Sequence, residues 1–277
     1  MPNILDILLS PFMIRAIIAV VLIAFVASTA GSFTVYRGLT FLVAGVAHAA
    51  LAGAALAILL DMYGIIPGFP EVLGAAIFAV ITALVAGYVG RKGESEKMEV
   101  AIGVSFALTM SIAILLISMI KEYAVRAWGL IIGDILLLTE KDLLLLTVTT
   151  LVVIFTTLLF YKEFVFVSFD MEGATAYGVH AELYHYVMLL LIALSVVVVL
   201  KGVGAILVYA MIVAPAAAAN QFSKNTTSVM IWSFIIALFG GIIGLIVAAL
   251  YVNVAPSAIA GLIVTASYFI ALIVSRK

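Results

Sequence analysis

The chain has 277 residues, of which 67% are hydrophobic and only 10% charged, and its mean hydropathy is +1.39. No water-soluble domain of this length hides that much apolar surface, so lipid is the solvent for most of it. A formal net charge of −1 leaves no electrostatic footprint for nucleic acid, and the absence of Cys excludes disulfides and thiolate metal sites.

The N-terminal stretch MPNILDILLSPFMIRA lacks a basic region ahead of its apolar run and a small-residue cleavage site after it, so it reads as mature sequence. Residues 12–30 are the first apolar segment, and SFTVYRG (32–38) reads as a short linker carrying Arg37. The next segment, 38–61, is crowded with Ala and Gly and holds one ionisable residue near its middle, His48. Small residues let neighbouring helices approach closely, so this segment reads as a path-lining or packing helix rather than a lipid-facing one. An imidazole at that depth is costly unless it meets a polar cavity, a partner or a passing ligand. A hydrogen bond across to another helix, with no transport role, accounts for it equally well.

The loop MYGIIPGFPE is rich in Gly and Pro and reads as turns. A third segment, 72–90, leads into the charge cluster RKGESEK (91–97), and a fourth covers 98–120. Residues 127–140 are apolar but too short to span, and Gly129, Gly133 and Asp134 within them suggest a re-entrant piece. Asp134 there could cap a helix or bind a cation. A fifth span covers 142–161. The stretch 161–185 mixes aromatics, charges and helix formers and is placed in the cytoplasm, with His180 and His185 read as solvated or interfacial.

From Tyr186 to Phe222 one apolar run is divided at Lys201-Gly202-Val203-Gly204, and two last segments cover 229–251 and 255–275. The Lys201 division decides between about eight and nine crossings. With nine, the inside holds Arg37, Arg91, Lys92, Lys97, Lys162, Lys224, Arg276 and Lys277. The outside holds Arg15, Lys121, Arg126, Lys141 and Lys201. That weak excess favours an extracytoplasmic N-terminus and a cytoplasmic C-terminus. Pro215 removes a backbone hydrogen bond from its helix, and with Gly202 and Gly204 it points to a bent or broken helix near a pathway; a plain packing kink fits equally well.

No GxxxxGK[ST], HExxH or GxSxG occurs, so ATP hydrolysis by a P-loop and the common protease designs are absent. A proton- or sodium-driven carrier usually needs carboxylates near the midplane, and here only Asp134 comes close. The energy source is therefore expected outside this chain.

Three stretches carry a family resemblance. GLTFLVAGVAHAALAGAALA (38–57) resembles the Ser-His-Ala motif of permease subunits of metal-ion ABC transporters. SFDMEGATAYGV (168–179) is similar to their Phe-Asp-Pro-Glu-x-Ala coupling segment. KGVGAILVYAMIVAPAAAAN (201–220) is similar to their Val-Gly…Pro-Ala-Ala signature. EVAIGVSFAL (99–108) and WGLIIGDILLLTEKDL (128–143) add weaker echoes, and the order is right along nearly the whole chain.

The resemblance implies one all-α polytopic permease domain over 1–277, in the cell membrane, working as a homodimer. It would import zinc, manganese or iron delivered by an extracytoplasmic metal-binding protein, and do no covalent chemistry itself. No tightly bound cofactor is implied, since ATP would be hydrolysed by a separate ATP-binding cassette subunit. A cytoplasmic coupling segment, 162–182, would meet that subunit through Phe169, Asp170, Glu172, Ala174 and Gly178. His48 would line the metal path, where neutral imidazole suits such ions.

The chain departs from the family pattern at three positions. Ala44 stands where an Asp commonly precedes this His by four residues, Ala47 where Ser is usual and Ala52 where Pro is usual. Hard cations prefer oxygen ligands, so the change at Ala44 leaves the metal open. The rivals are a secondary transporter or channel without an ATPase, an intramembrane enzyme using His48 and Asp134, and a same-family permease with a different cargo.

Overall fold

The computed structural model describes residues 10–90, 95–120, 129, 131–251 and 254–275, and every regular element among them is helical. The first span begins with α1, Pro11–Val26, capped by Ser10. It passes through one π turn, Ala27–Gly31, and continues as α2, Ser32–Tyr36. After Arg37 come α3 (Thr40–Met62), α4 (Glu71–Gly90) and α5 (Ser95–Met119). A single 3-10 turn, Ile135–Leu137, precedes α6 (Glu140–Leu159). The short helices α7 (Tyr161–Phe169) and α8 (Met171–Ala176) follow. The chain then returns through α9 (Ala181–Val203), α10 (Val208–Phe222), α11 (Thr226–Leu250) and α12 (Pro256–Ser275).

Eight of these spans are long and apolar enough to cross a membrane, and Val208–Phe222 is a shorter apolar helix. At 1.5 Å per residue α10 is roughly 22 Å long, less than the ~30 Å hydrocarbon core. It nevertheless completes the alternation of direction. The Tyr36 hydroxyl donates to the Thr226 carbonyl at 3.1 Å and the Tyr161 hydroxyl meets the Thr226 hydroxyl at 2.5 Å. The ends of the first span and α6 and the start of α11 therefore share one side with α7 and α8. Lys201 and Asp142, paired at 2.6 Å, mark the other side. The described chain makes nine passes, eight long and one short, with Pro11 and Ser275 on opposite sides. Arg91, Lys92, Lys121, Arg126, Arg276 and Lys277, used above to orient the chain, lie outside the described residues.

One expected boundary is wrong. Residues 32–36, read as linker, are helical, because Phe33 is buried against Phe164 and Tyr36 (ring centroids 5.6 and 5.9 Å) and the Thr34 hydroxyl donates back to the Ala30 carbonyl at 2.7 Å. Aromatic anchoring thus extends the span by a turn beyond its apolar run. The preceding π turn is held by α11: Ser28 Oγ donates to the Met230 carbonyl at 2.8 Å and Ser233 Oγ donates to the Ala27 carbonyl at 3.0 Å. A π turn releases carbonyls from the regular ladder, and here a neighbouring serine takes one up.

α3 is the most enclosed span, with Gly45, Ala47, Ala49, Ala50, Ala52, Gly53, Ala54, Ala55 and Ala57 all buried. Its small residues bring backbones together. A Cβ on Gly53 would fall 2.1 Å from the Gly74 carbonyl oxygen of α4, and one on Gly74 would fall 2.4 Å from that of Gly53. In lipid, where apolar surface alone does not drive helices together, such close approach supplies the packing.

Candidate transport path and coupling surface

His48 lies on the less enclosed stripe of α3 with Phe41 and Ala44, facing α5. Its ring stands edge-on to Phe106 with centroids 4.6 Å apart. Nδ1 is 2.9 Å from the carbonyl of Ala44, one turn back on the same helix. A carbonyl can only accept, so Nδ1 carries the proton and Nε2 keeps the lone pair that can bind a metal. Ala44 therefore orients the imidazole through its backbone but offers no side-chain oxygen. Among the described residues no three His, Asp or Glu side chains come together as a ligand set.

The candidate coupling segment has sharp corners. Asp170 leaves α7 in an extended conformation (φ −150°, ψ 91°) and its Oδ1 accepts from the Gly173 N–H at 2.7 Å, capping α8. Gly173 leaves room for that carboxylate, since a Cβ would fall 2.1 Å from Asp170 Oδ2. At the other end the Gly178 N–H reaches the Thr175 carbonyl and the Val179 N–H the Ala174 carbonyl, both at 3.0 Å, closing a Schellman turn with Gly178 at φ +83°. Ala174 is fully buried, whereas Phe169 is 65% and Tyr177 83% exposed, with Glu172 and Gly178 also in the open. The segment therefore presents an aromatic and acidic surface on a rigidly capped turn. Asp170→Ala is expected to loosen α8 by about 1 kcal/mol without unfolding the spans, seen as faster amide exchange at Gly173 with an unchanged melting temperature.

Gly202 is helical and packs on Leu138, whose Cδ1 would lie 3.3 Å from an added Cβ; the helix ends only at Gly204. Pro215 is buried inside α10, which continues on both sides of it. Gly204 adopts φ +85° and ψ 158° and meets the backbone of residues 131–133, with the Ile206 N–H 3.4 Å from the Ile131 carbonyl. The short apolar piece thus docks on the α9–α10 break, and its Asp134 caps the 3-10 turn by accepting from the Leu136 N–H at 2.9 Å.

On the same side a cavity of about 790 Å³ opens between α4, α6 and α9, with Asp61, Glu71, Lys141, Asp142 and Lys201 at its polar end. Its apolar lining includes Leu194, Val197 and Val198 of α9.

One reading of the sequence is corrected. His185 is fully buried, not solvated or interfacial. Arg37 Nη2 donates to its Nδ1 at 2.7 Å, and Nη1 donates to the Val167 carbonyl at 2.9 Å. Burial pulls Arg37 down from its ordinary pKa, yet a guanidinium stays charged at neutral pH. The pairing was missed because its members lie 148 residues apart.

The model of the ABC 3 transport family matches residues 10–275. The chain belongs to that family. Over 266 residues it is 32% identical to the manganese transport system membrane protein MntC of Listeria monocytogenes, covering 96% of this chain and 91% of that protein. It is 29% identical over 264 residues to the manganese import system permease protein ScaB of Streptococcus gordonii, covering 94% and 91%. Among solved structures it resembles PsaBC from Streptococcus pneumoniae in complex with a Fab, with a TM-score of 0.83 and 26% identity over 97% of this chain and 94% of that one. An inward-facing putative metal-chelate type ABC transporter shares the fold, with a TM-score of 0.74 at 18% identity, covering 95% of this chain and 85% of that one. This member of the ABC 3 family is thus an all-α, multi-pass protein of the cell membrane and a transport permease by kinship. The resemblance read from residues 38–57, 168–179 and 201–220 named the right family.

Proposed function

We propose that the chain is the membrane permease subunit of an ABC importer that moves a divalent transition metal ion, manganese foremost, into the cell. The observation that carries this reading is similarity from end to end to permeases named for manganese transport. A separate ATPase drives the cycle and an extracytoplasmic metal-binding protein delivers the ion. Two copies form the path, bringing together two His48 faces. The capped α8 corner, with Phe169, Asp170, Glu172, Ala174 and Gly178, seats on the ATPase, and closure of the ATPases is converted into alternating access. A conduit must hold its ion weakly enough to release it, and one Nε2 lone pair from each copy suits that need.

One observation favours a changed cargo within the same role. Without a carboxylate at position 44 the His48 site offers nitrogen but no anionic oxygen, which tilts it from manganese toward zinc.

The test has two parts. The tagged chain and its Glu172→Arg variant are drawn from native membranes in mild detergent, and vesicles are assayed for ATP-driven uptake of manganese, zinc and iron. A stoichiometric ATPase on the wild type, absent from the variant, is the expected result. A monodisperse chain with no ATPase would overturn the importer reading in favour of a secondary transporter. Uptake of zinc without manganese would replace the cargo alone.

A further inference from the structure

The turn that joins the first span to α3 is tight. Its Gly38 N–H bonds the Val35 carbonyl at 3.1 Å and its Leu39 N–H bonds the Thr34 carbonyl at 2.9 Å. The Arg37 side chain leaves this turn inward and touches two other elements. In α7 it takes the carbonyl of Val167, within the last turn, while the Phe166 carbonyl is already used by the Asp170 N–H at 2.9 Å. A cation at a helix C-terminus satisfies an orphaned carbonyl and opposes the dipole there. In α9 it takes His185 Nδ1. Arginine has only donors, so Nδ1 must be the lone-pair nitrogen and His185 is held neutral, with its proton on Nε2. That second nitrogen lies against α4, where a Cβ on Gly87 would come within 3.5 Å of it.

One half-buried guanidinium therefore joins the start of α3, the helix leading into the coupling corner, and α9 with its neighbour α4. Val167 and His185 are both buried, so parting either from Arg37 strands a buried acceptor, a cost that favours their moving together. α3 begins three residues after Arg37 and carries His48 roughly 12 Å along its axis.

We propose that Arg37 is a positioning residue of the transport cycle: bonded to the Val167 carbonyl and to His185, it transfers displacement of the α7–α8 corner to α3 and so to the His48 face. The inference rests on the permease reading above, and names the route by which closure of the ATPase reaches the path.

The experiment measures ions moved and ATP hydrolysed in the same vesicles, holding the chain with its co-purified ATPase. Arg37→Met is expected to keep most of the hydrolysis while ions moved per ATP fall about tenfold, within the usual span of coupling between sites. Arg37→Lys, which retains a charge but not the two-armed geometry, recovers part of the ratio. His185→Gln, whose amide oxygen can take the same bond, recovers most of it. An unchanged ratio in Arg37→Met overturns the inference, as does a parallel fall of uptake, hydrolysis and melting temperature in all three variants, the mark of a merely structural residue. Should Arg37→Met not fold, Arg37→Lys decides: a lowered ratio at unchanged melting temperature supports the inference, and an unchanged ratio overturns it. A wild type without ATP-driven uptake is a different result, and removes the permease reading and this inference together.

Discussion

On the proposed function, His48→Ala is expected to lower ATP-driven metal uptake by about tenfold or more, equivalent to ~1.4 kcal/mol or more on the transport barrier, while the folded protein and its proposed ATPase contact persist. The imidazole is not needed to hold the fold. It bonds the carbonyl of its own helix, one turn back, and its ring meets Phe106 on the less enclosed side of α3. What is lost is the Nε2 lone pair, the one side-chain donor that α3 offers between Thr40 and Asp61. Uptake of radiolabelled manganese and zinc in vesicles, beside a melting curve, makes the comparison. Uptake equal to wild type would show that the ion travels elsewhere. The companion Ala44→Asp puts a carboxylate one turn from the ring on the same face, and is expected to move preference toward the harder manganese ion.

A second large effect is expected at Gly204. Gly204→Ala should abolish accumulation of folded protein, measured as the monodisperse peak recovered from detergent. The residue sits at φ +85° and ψ 158°, a region that essentially only glycine occupies, and strain there costs ~1–3 kcal/mol. Its new methyl would lie 2.2 Å from the carbonyl carbon of Ile132 and 2.5 Å from the oxygen of Ile131, both backbone atoms that cannot step aside. The facing residue is equally confined: a Cβ on Gly133, at φ +66°, would lie 2.2 Å from the Gly204 nitrogen. Gly178→Ala is the control. That residue also has a left-handed φ, but no atom lies within 4 Å of its missing Cβ, so the cost is expected to stay near ~1 kcal/mol. Equal yields from both variants would mean that the α9–α10 break tolerates far more adjustment than its contacts suggest.

The spans were legible because lipid imposes one demand on them all, a long apolar run with its backbone satisfied internally. The segments at 38–61, 72–90 and 98–120 emerged within a few residues of α3, α4 and α5. The division at Lys201–Gly204 also fell in place, because a glycine pair beside a charge interrupts the pattern. The first span ran past its expected end because Phe33 and Tyr36 pack on aromatic partners more than a hundred residues ahead, information that hydropathy does not hold. Asp134 left a helix cap and a cation site equally open; its bond to the Leu136 N–H supplies the cap.

Of the candidate site, the 168–179 corner was marked in the sequence only by its resemblance to the family's coupling segment, and its caps at Asp170 and Gly178 came from the structure. His185 could not be placed from the sequence. Beside charges and aromatics it looks like a surface residue, and only tertiary packing brings Arg37 to it.

The contact of Gly53 with Gly74 bears on what can move. Two backbones that meet without an intervening side chain have no layer of rotamers in which to slip, so α3 and α4 form a rigid hairpin closed by the turns at 63–70. That loop is itself braced, with Asp61 Oδ1 accepting from the Gly68 N–H at 2.8 Å. A rigid tilt of α3 therefore carries Asp61 and Glu71 with it at the tip, where both carboxylates line the cavity. Movement of the proposed His48 face and of the charges at the hairpin tip then become one motion, and a disulfide engineered across the tip of the hairpin would leave it intact.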